Sequence, residues 1–241
     1  MSLAATYRLG TRLFWRDRAM LVASVVTPLG IGIGLPLLMR HVRPEGAAAA
    51  AQFYPGTIAI MLAITAFMNI NVALTTRRDQ LVLKRLRTTM LTDGQILAGQ
   101  IASTVTQTVV VIVVCTVTVR FAADVPFPAD PLLFAGAAVA GSAVMATLGA
   151  AYTAAVPRAE LSAPACVPVF LLCGVGAGAM GPILEVLPSW AGTLFGLLPT
   201  AAVVDAMRSG AVAAPVLNLA VWAVVGLVGL RLWFRWEPRR S

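Results

Sequence analysis

Arg77-Arg78-Asp79-Gln80-Leu81-Val82-Leu83-Lys84-Arg85-Leu86-Arg87 stands between two apolar stretches, each long enough to cross a bilayer. A soluble fold has no use for a cationic segment in that place. Between two membrane spans, the same segment marks the cytoplasmic side and offers a helix that can dock outside the lipid. If residues 77–90 are helical, Val82, Leu83, Leu86 and Met90 share an arc of about 100°, with Arg77, Lys84 and Arg87 outside it. Two readings stay open on charge and periodicity alone: a helix seated in a groove of a partner protein, or a basic anchor that only fixes orientation.

Composition agrees with a bilayer as solvent. Of the 241 residues, 59% are hydrophobic and 12% charged, whereas a soluble domain is about half apolar and a quarter charged. The charges cluster between apolar runs, as in a polytopic helical membrane protein. The net charge of +8 is carried by basic residues at the ends of those runs, so it does not indicate nucleic acid. Cys115, Cys166 and Cys173 lie inside apolar runs without metal-ligand spacing, which predicts neither a metal site nor a disulfide. Richness in Ala, Val, Gly and Pro, with Lys84 the only lysine among 18 basic residues, is expected of a GC-rich bacterial genome.

A span takes about 20 residues, and six are predicted, at 20–39, 54–75, 96–119, 132–156, 163–180 and 217–234. The fifth is the weakest, with Pro164 and Pro168 in its first turns and several glycines loosening its end. With both termini inside, only Arg40, Arg43, Arg120 and Arg208 of the basic residues fall outside, while the acidic residues split evenly. That asymmetry is what the positive-inside rule requires. The chain then reads as a single all-α transmembrane domain over 1–241. Residues 1–19 are an interfacial helix, 76–95 a cytoplasmic loop, and 181–216 an extracellular re-entrant region. The first apolar stretch is too long for a signal-peptide core, so no cleavage is expected.

In the interfacial helix, Arg8, Arg12 and Arg16 fall on one face and Leu3, Tyr7, Gly10 and Phe14 on the other. Its arginines face lipid phosphates or a partner protein. Inside the spans there is no Asp, Glu, Lys or His, and His41 reads as a loop residue at a membrane edge. Ion-coupled transporters usually keep an ionisable group at depth, and the chain has no Gly-x-x-x-x-Gly-Lys-Ser/Thr phosphate loop. Energy for any transport must therefore come from another subunit, and a membrane enzyme lacks a base. Thr65 and Asn69 on the second span, with Thr104 and Thr108 on the third, are candidates for a substrate path; interhelical hydrogen bonding is their other reading. Gly141, Gly149 and Thr153 on the fourth span predict close helix packing.

Arg78-Asp79-Gln80, Leu83-Lys84-Arg85-Leu86-Arg87-Thr88-Thr89, Leu91, Gln95-Ile96-Leu97 and Gly99 together resemble the coupling-helix region of ABC-2 type permeases, of the daunorubicin-resistance-like kind. Met90 stands where proline is usual and Gln80 where an acidic residue is common. Pro188-Ser189-Trp190 and Leu198-Pro199-Thr200 through Asp205 and Arg208 resemble the extracellular helices of the same family, and Asp205 and Arg208, at i and i+3, are placed to pair.

The resemblance implies the permease subunit of an ATP-driven exporter in a bacterial inner membrane. It implies docking of Arg78, Asp79, Val82, Leu83, Lys84, Arg85, Leu86, Arg87 and Met90 on an ABC ATPase, and pairing with a second copy or a paralogous permease. ATP and magnesium would bind in the partner ATPase and no cofactor in this chain. Drugs, lipids and glycans are the substrate range, with an amphipathic drug, antibiotic or lipid-like compound favoured by the short outer loops. A membrane anchor or regulatory subunit that does not transport is the alternative.

Overall fold

The computed structural model describes residues 22–82, 92–179 and 188–234, which are mostly helical with no strand among them. Six helices are long and apolar enough to span a membrane. The first, Ser24–Val42, is a π-helical turn, Val22–Val26, running into α1, Thr27–Val42. The second is one 33-residue helix, Ala47–Asp79, made of α2 (Ala47–Met61), a π-helical stretch (Leu62–Met68) and α3 (Asn69–Asp79). At 1.5 Å per residue it runs about 50 Å, well past the hydrocarbon core. Its ends therefore stand clear of the predicted 54–75 limits, and Arg78 belongs to the span's helix rather than to the loop.

The third span is α4, Asp93–Ala123. Its start is set by a capping box, in which Gln95 N–H donates to Thr92 Oγ1 and Thr92 N–H donates to Gln95 Oε1. The fourth is α5, Pro131–Tyr152, where Asp130 Oδ1 accepts the N–H groups of Leu132 and Leu133 and proline occupies the first turn. A 3-10 turn, Ala159–Leu161, leads into α6, Ser162–Gly176, which keeps Pro168 in its interior. The sixth span is α9, Ala213–Trp233. Between α6 and α9 lie α7, Ser189–Gly196, and α8, Pro199–Ser209, bent 90° from each other. Pro188 caps α7 and Pro199 opens α8, since proline suits a first turn but cannot continue one.

The long second span is the core helix, and α5 packs across its π-helical stretch while also touching α4, α8 and α9. Small residues permit this. A Cβ on Gly149 would stand 2.4 Å from the Phe67 carbonyl oxygen, so only glycine allows α5 to lie against that backbone. Buried polar contacts fix the pairing: Ser24 Oγ donates to Asn69 Oδ1 at 2.8 Å, Asn71 Nδ2 to the Gly149 carbonyl at 3.1 Å, and Ser162 Oγ to Asn71 Oδ1. At the end of the bundle where α1 and α4 finish, Arg40 pairs with Asp124 and donates to the Ala122 carbonyl. His41 sits in the last turn of α1 against the Leu37 carbonyl, not in a loop.

Candidate functional site

The segment that opens the sequence begins where α3 stops. Gln80 caps the helix and Leu81 turns into the left-handed region at φ 58°. A left-handed leucine is strained by about 1–2 kcal/mol, so the break is held by its surroundings. Arg78 supplies the hold. Its side chain is buried, 2% exposed, and it reaches across to the turn after α5, donating from Nη1 to the Thr153 carbonyl at 3.1 Å. Nη2 donates to the carbonyls of Val156 at 2.8 Å and Pro157 at 3.3 Å.

Asp79 continues the clasp. Its Oδ2 accepts the N–H of Ala159 at 2.7 Å, tying down the 3-10 turn before α6, and its Oδ1 lies 3.6 Å from Arg78 Nε. Arg77, one residue earlier, bonds Gln100 Oε1 on α4. Three consecutive residues therefore fasten the base of the 80–92 loop to the third, fourth and fifth spans.

This moves Arg78 from an expected docking face to an internal joint. A buried guanidinium spent on three carbonyls has no free face for a partner, so Arg78 positions this junction, whereas the Asp79 side chain stays 29% exposed. Val82 is half-buried at the loop's start. Leu83, Lys84, Arg85, Leu86, Arg87 and Met90 lie outside the described residues, as do Arg8, Arg12, Phe14 and Arg16.

Residues 3–212 match the family model for the ABC-2 type transporter. The chain belongs to that family. It is thus the transmembrane component of an ABC transporter, the part that lacks its own ATPase, and a multi-pass membrane protein whose family implies an ABC ATPase partner. A search of curated proteins gave no match.

Beside the clasp this ABC-2 chain has an apolar cleft of about 740 Å³ between α5, α6 and α9. Ala154 and Ala155, in the turn that Arg78 holds, line it, as do Trp233 and Phe234 at the end of α9. Phe67, Tyr152 and Trp222 line it further in. Tyr152 is oriented by donating to the Ala165 carbonyl, and its ring lies 5.4 Å from that of Phe67. The wall is thus aromatic and dry, suited to hydrocarbon.

The expected substrate-path residues do not line this cleft. Thr65 is buried and donates to the Met61 carbonyl of its own helix, and Asn69 is taken up by Ser24. Thr104 and Thr108 are buried along α4. Thr65 and Asn69 thus serve helix packing, the reading that polar residues of spans more often have, whereas Thr108 Oγ1 is buried without a partner among the described residues. Asp205 and Arg208 form no ion pair within 4.0 Å. Arg208 Nη2 instead donates to the Gln52 carbonyl at 3.3 Å, because α8 lies across the start of the second span.

The clasp partners Thr153, Val156, Pro157 and Ala159 were invisible to sequence reading, since their main-chain groups bind whatever their side chains. The aromatic cleft did leave a signal. Trp222 and Trp233 are eleven residues apart, three helical turns, and so share a face of α9.

Proposed function

We propose that this chain is the permease subunit of a bacterial ABC-2 exporter that moves an amphipathic drug, antibiotic or lipid-like compound outward, energised by a separate ATPase. Both termini and the 80–92 loop face the cytoplasm of the inner-membrane protein, and a second copy or a paralogous permease completes the translocation unit. Residues 83–90 form the coupling helix, with Leu83, Leu86 and Met90 against the ATPase. ATP closing the ATPase pair displaces that helix, and the displacement passes to the spans.

The observation that carries this reading is the Arg78–Asp79 clasp. A loop serving only as a basic anchor needs no fastening, whereas one that transmits force must be rigidly joined to the elements it moves. Here the junction leads straight into α5 and the turn that lines the apolar cleft.

The test is a charge placed in the dry contact. Leu86→Asp introduces an unpaired carboxylate where burial is costly, so the variant should insert normally yet lose capture of the ATPase. Lys84→Gln, on the rim, should mainly alter association rate and salt dependence. Retained capture and transport in Leu86→Asp would reduce the loop to an anchor and favour a subunit that does not transport.

A further inference from the structure

A second cleft, of about 830 Å³, lies at the other end of α9, between α7, α8 and α9. Trp222 and Val225 line both this cleft and the apolar one, so the two meet at that level of α9. From Pro215, in the second cleft, to Phe234, in the first, α9 rises about 28 Å, nearly the thickness of the hydrocarbon core. Trp222 stands at the waist. Its Nε1–H donates to the Leu197 carbonyl at 2.7 Å, which fixes the indole and leaves only its apolar surface to the track.

The two ends differ in chemistry. The Trp233 end is aromatic and aliphatic, whereas the far end carries Asp205, Arg208 and Asn218. Asp205 and Arg208 both border the cleft and, though they feel each other's charge, make no contact within 4.0 Å, while Arg208 gives one N–H to the Gln52 carbonyl, which leaves other donors on its fork. Asn218 donates to the Leu197 carbonyl, and its Oδ1 is buried without a partner. One carboxylate, one guanidinium and one spare amide acceptor on a single cleft match a head that carries both an ammonium and a phosphate. A purely anionic head would meet Asp205, and a purely cationic one Arg208.

We propose that the joined clefts along α9 are one binding track for a zwitterionic, chain-bearing amphiphile. The hydrocarbon lies along Trp222, Val225 and Trp233, the ammonium at Asp205 and Asn218, and the phosphate at Arg208. Ala154 and Ala155, which line the track, belong to the turn that Arg78 clasps, so a displacement carried by Arg78 alters the track at that end. That such movement exports the amphiphile rests on the function proposed above; the binding itself does not.

A test uses the purified full-length chain, with whatever subunits accompany it, in mild detergent. Lysophosphatidylethanolamine with a diazirine at the end of its acyl chain is bound and irradiated, and the adducts are mapped by mass spectrometry. The exposed valines of α4, Val110, Val113, Val114 and Val117, form a convex apolar face and serve as the internal control. Adducts are expected between 222 and 234, with the α4 face labelled weakly. Val225→Trp fills the waist and should lower the α9 adducts about tenfold, the effect of losing about 1.4 kcal/mol of binding, without changing those on α4.

Two further variants leave the apolar track alone. Asp205→Asn should weaken labelling by this probe, whose ammonium it holds, without weakening that by the anionic lysophosphatidylglycerol analogue, whereas Arg208→Gln should weaken both. Equal labelling of α4 and α9, indifferent to Val225→Trp and to the head, would mean bilayer-like coating and overturn the track. Normal track labelling in a chain that captures no ATPase would keep the track and remove the exporter reading.

Discussion

Replacing Arg78 with methionine removes the clasp while keeping side-chain bulk. The Thr153 carbonyl also accepts the Val156 N–H at 3.2 Å and keeps a partner, whereas the Val156 and Pro157 carbonyls lose the guanidinium. A buried acceptor left unsatisfied costs about 1–3 kcal/mol, so two of them give about 2–6 kcal/mol. Relief of the desolvation that the buried cation itself suffers offsets part of this, leaving about 3 kcal/mol. For a chain of this size each kcal/mol lowers the midpoint by about 2–4 °C, so Arg78→Met should melt roughly 10 °C below the parent. Arg78→Lys, which keeps the charge but loses the fork, should fall between them.

The three free cysteines, Cys115, Cys166 and Cys173, are all buried. A thiol-reactive fluorophore therefore reports unfolding of the detergent-solubilised protein without further labelling. A midpoint for Arg78→Met within about 2 °C of the parent would show that the three carbonyls do not need the guanidinium, and the clasp would carry no force.

Gly149→Ala should destabilise by about 1–3 kcal/mol in the same assay, because the new methyl must push Phe67 and Ile70 away from α5. Gly94→Ala, where a Cβ meets nothing within 4 Å, should not. Cysteines placed at Glu45 or Asp124 should react with a membrane-impermeant maleimide added to intact cells, while one at Lys84 should react only after lysis; labelling of Lys84→Cys from outside would invert the topology.

Much of the fold was legible because hydrophobic run length and charge position are properties of sequence. Six spans could be counted, and Pro188 and Pro199 marked where α7 and α8 start. The ends were less legible: the second span continues through Arg78 and Asp79 because main-chain carbonyls elsewhere satisfy the guanidinium, and no local pattern announces that. Gly149 was read correctly as a packing residue, since a small residue on a span has few other uses. Thr65 and Asn69 could not be decided from sequence, because a polar side chain at depth looks the same whether it faces a path or bonds Met61 and Ser24. Asp205 and Arg208 have the spacing of an i, i+3 pair, yet the carbonyl of Gln52, remote in sequence, takes the arginine. The cleft along α9 depends on α5, α6 and α9 meeting at a particular splay, which a single chain's periodicity does not specify.

The account rests on the chain working as the membrane half of an ATP-driven machine. The most direct measurement is purification of the full-length chain from its native membrane in mild detergent, with the accompanying chains identified and their ATP hydrolysis assayed. A co-purifying ABC ATPase with a phosphate loop, hydrolysing ATP in the complex while the isolated chain binds none, is the predicted result. A chain that purifies with no ATPase, or that moves substrate under a proton gradient by itself in liposomes, would contradict it.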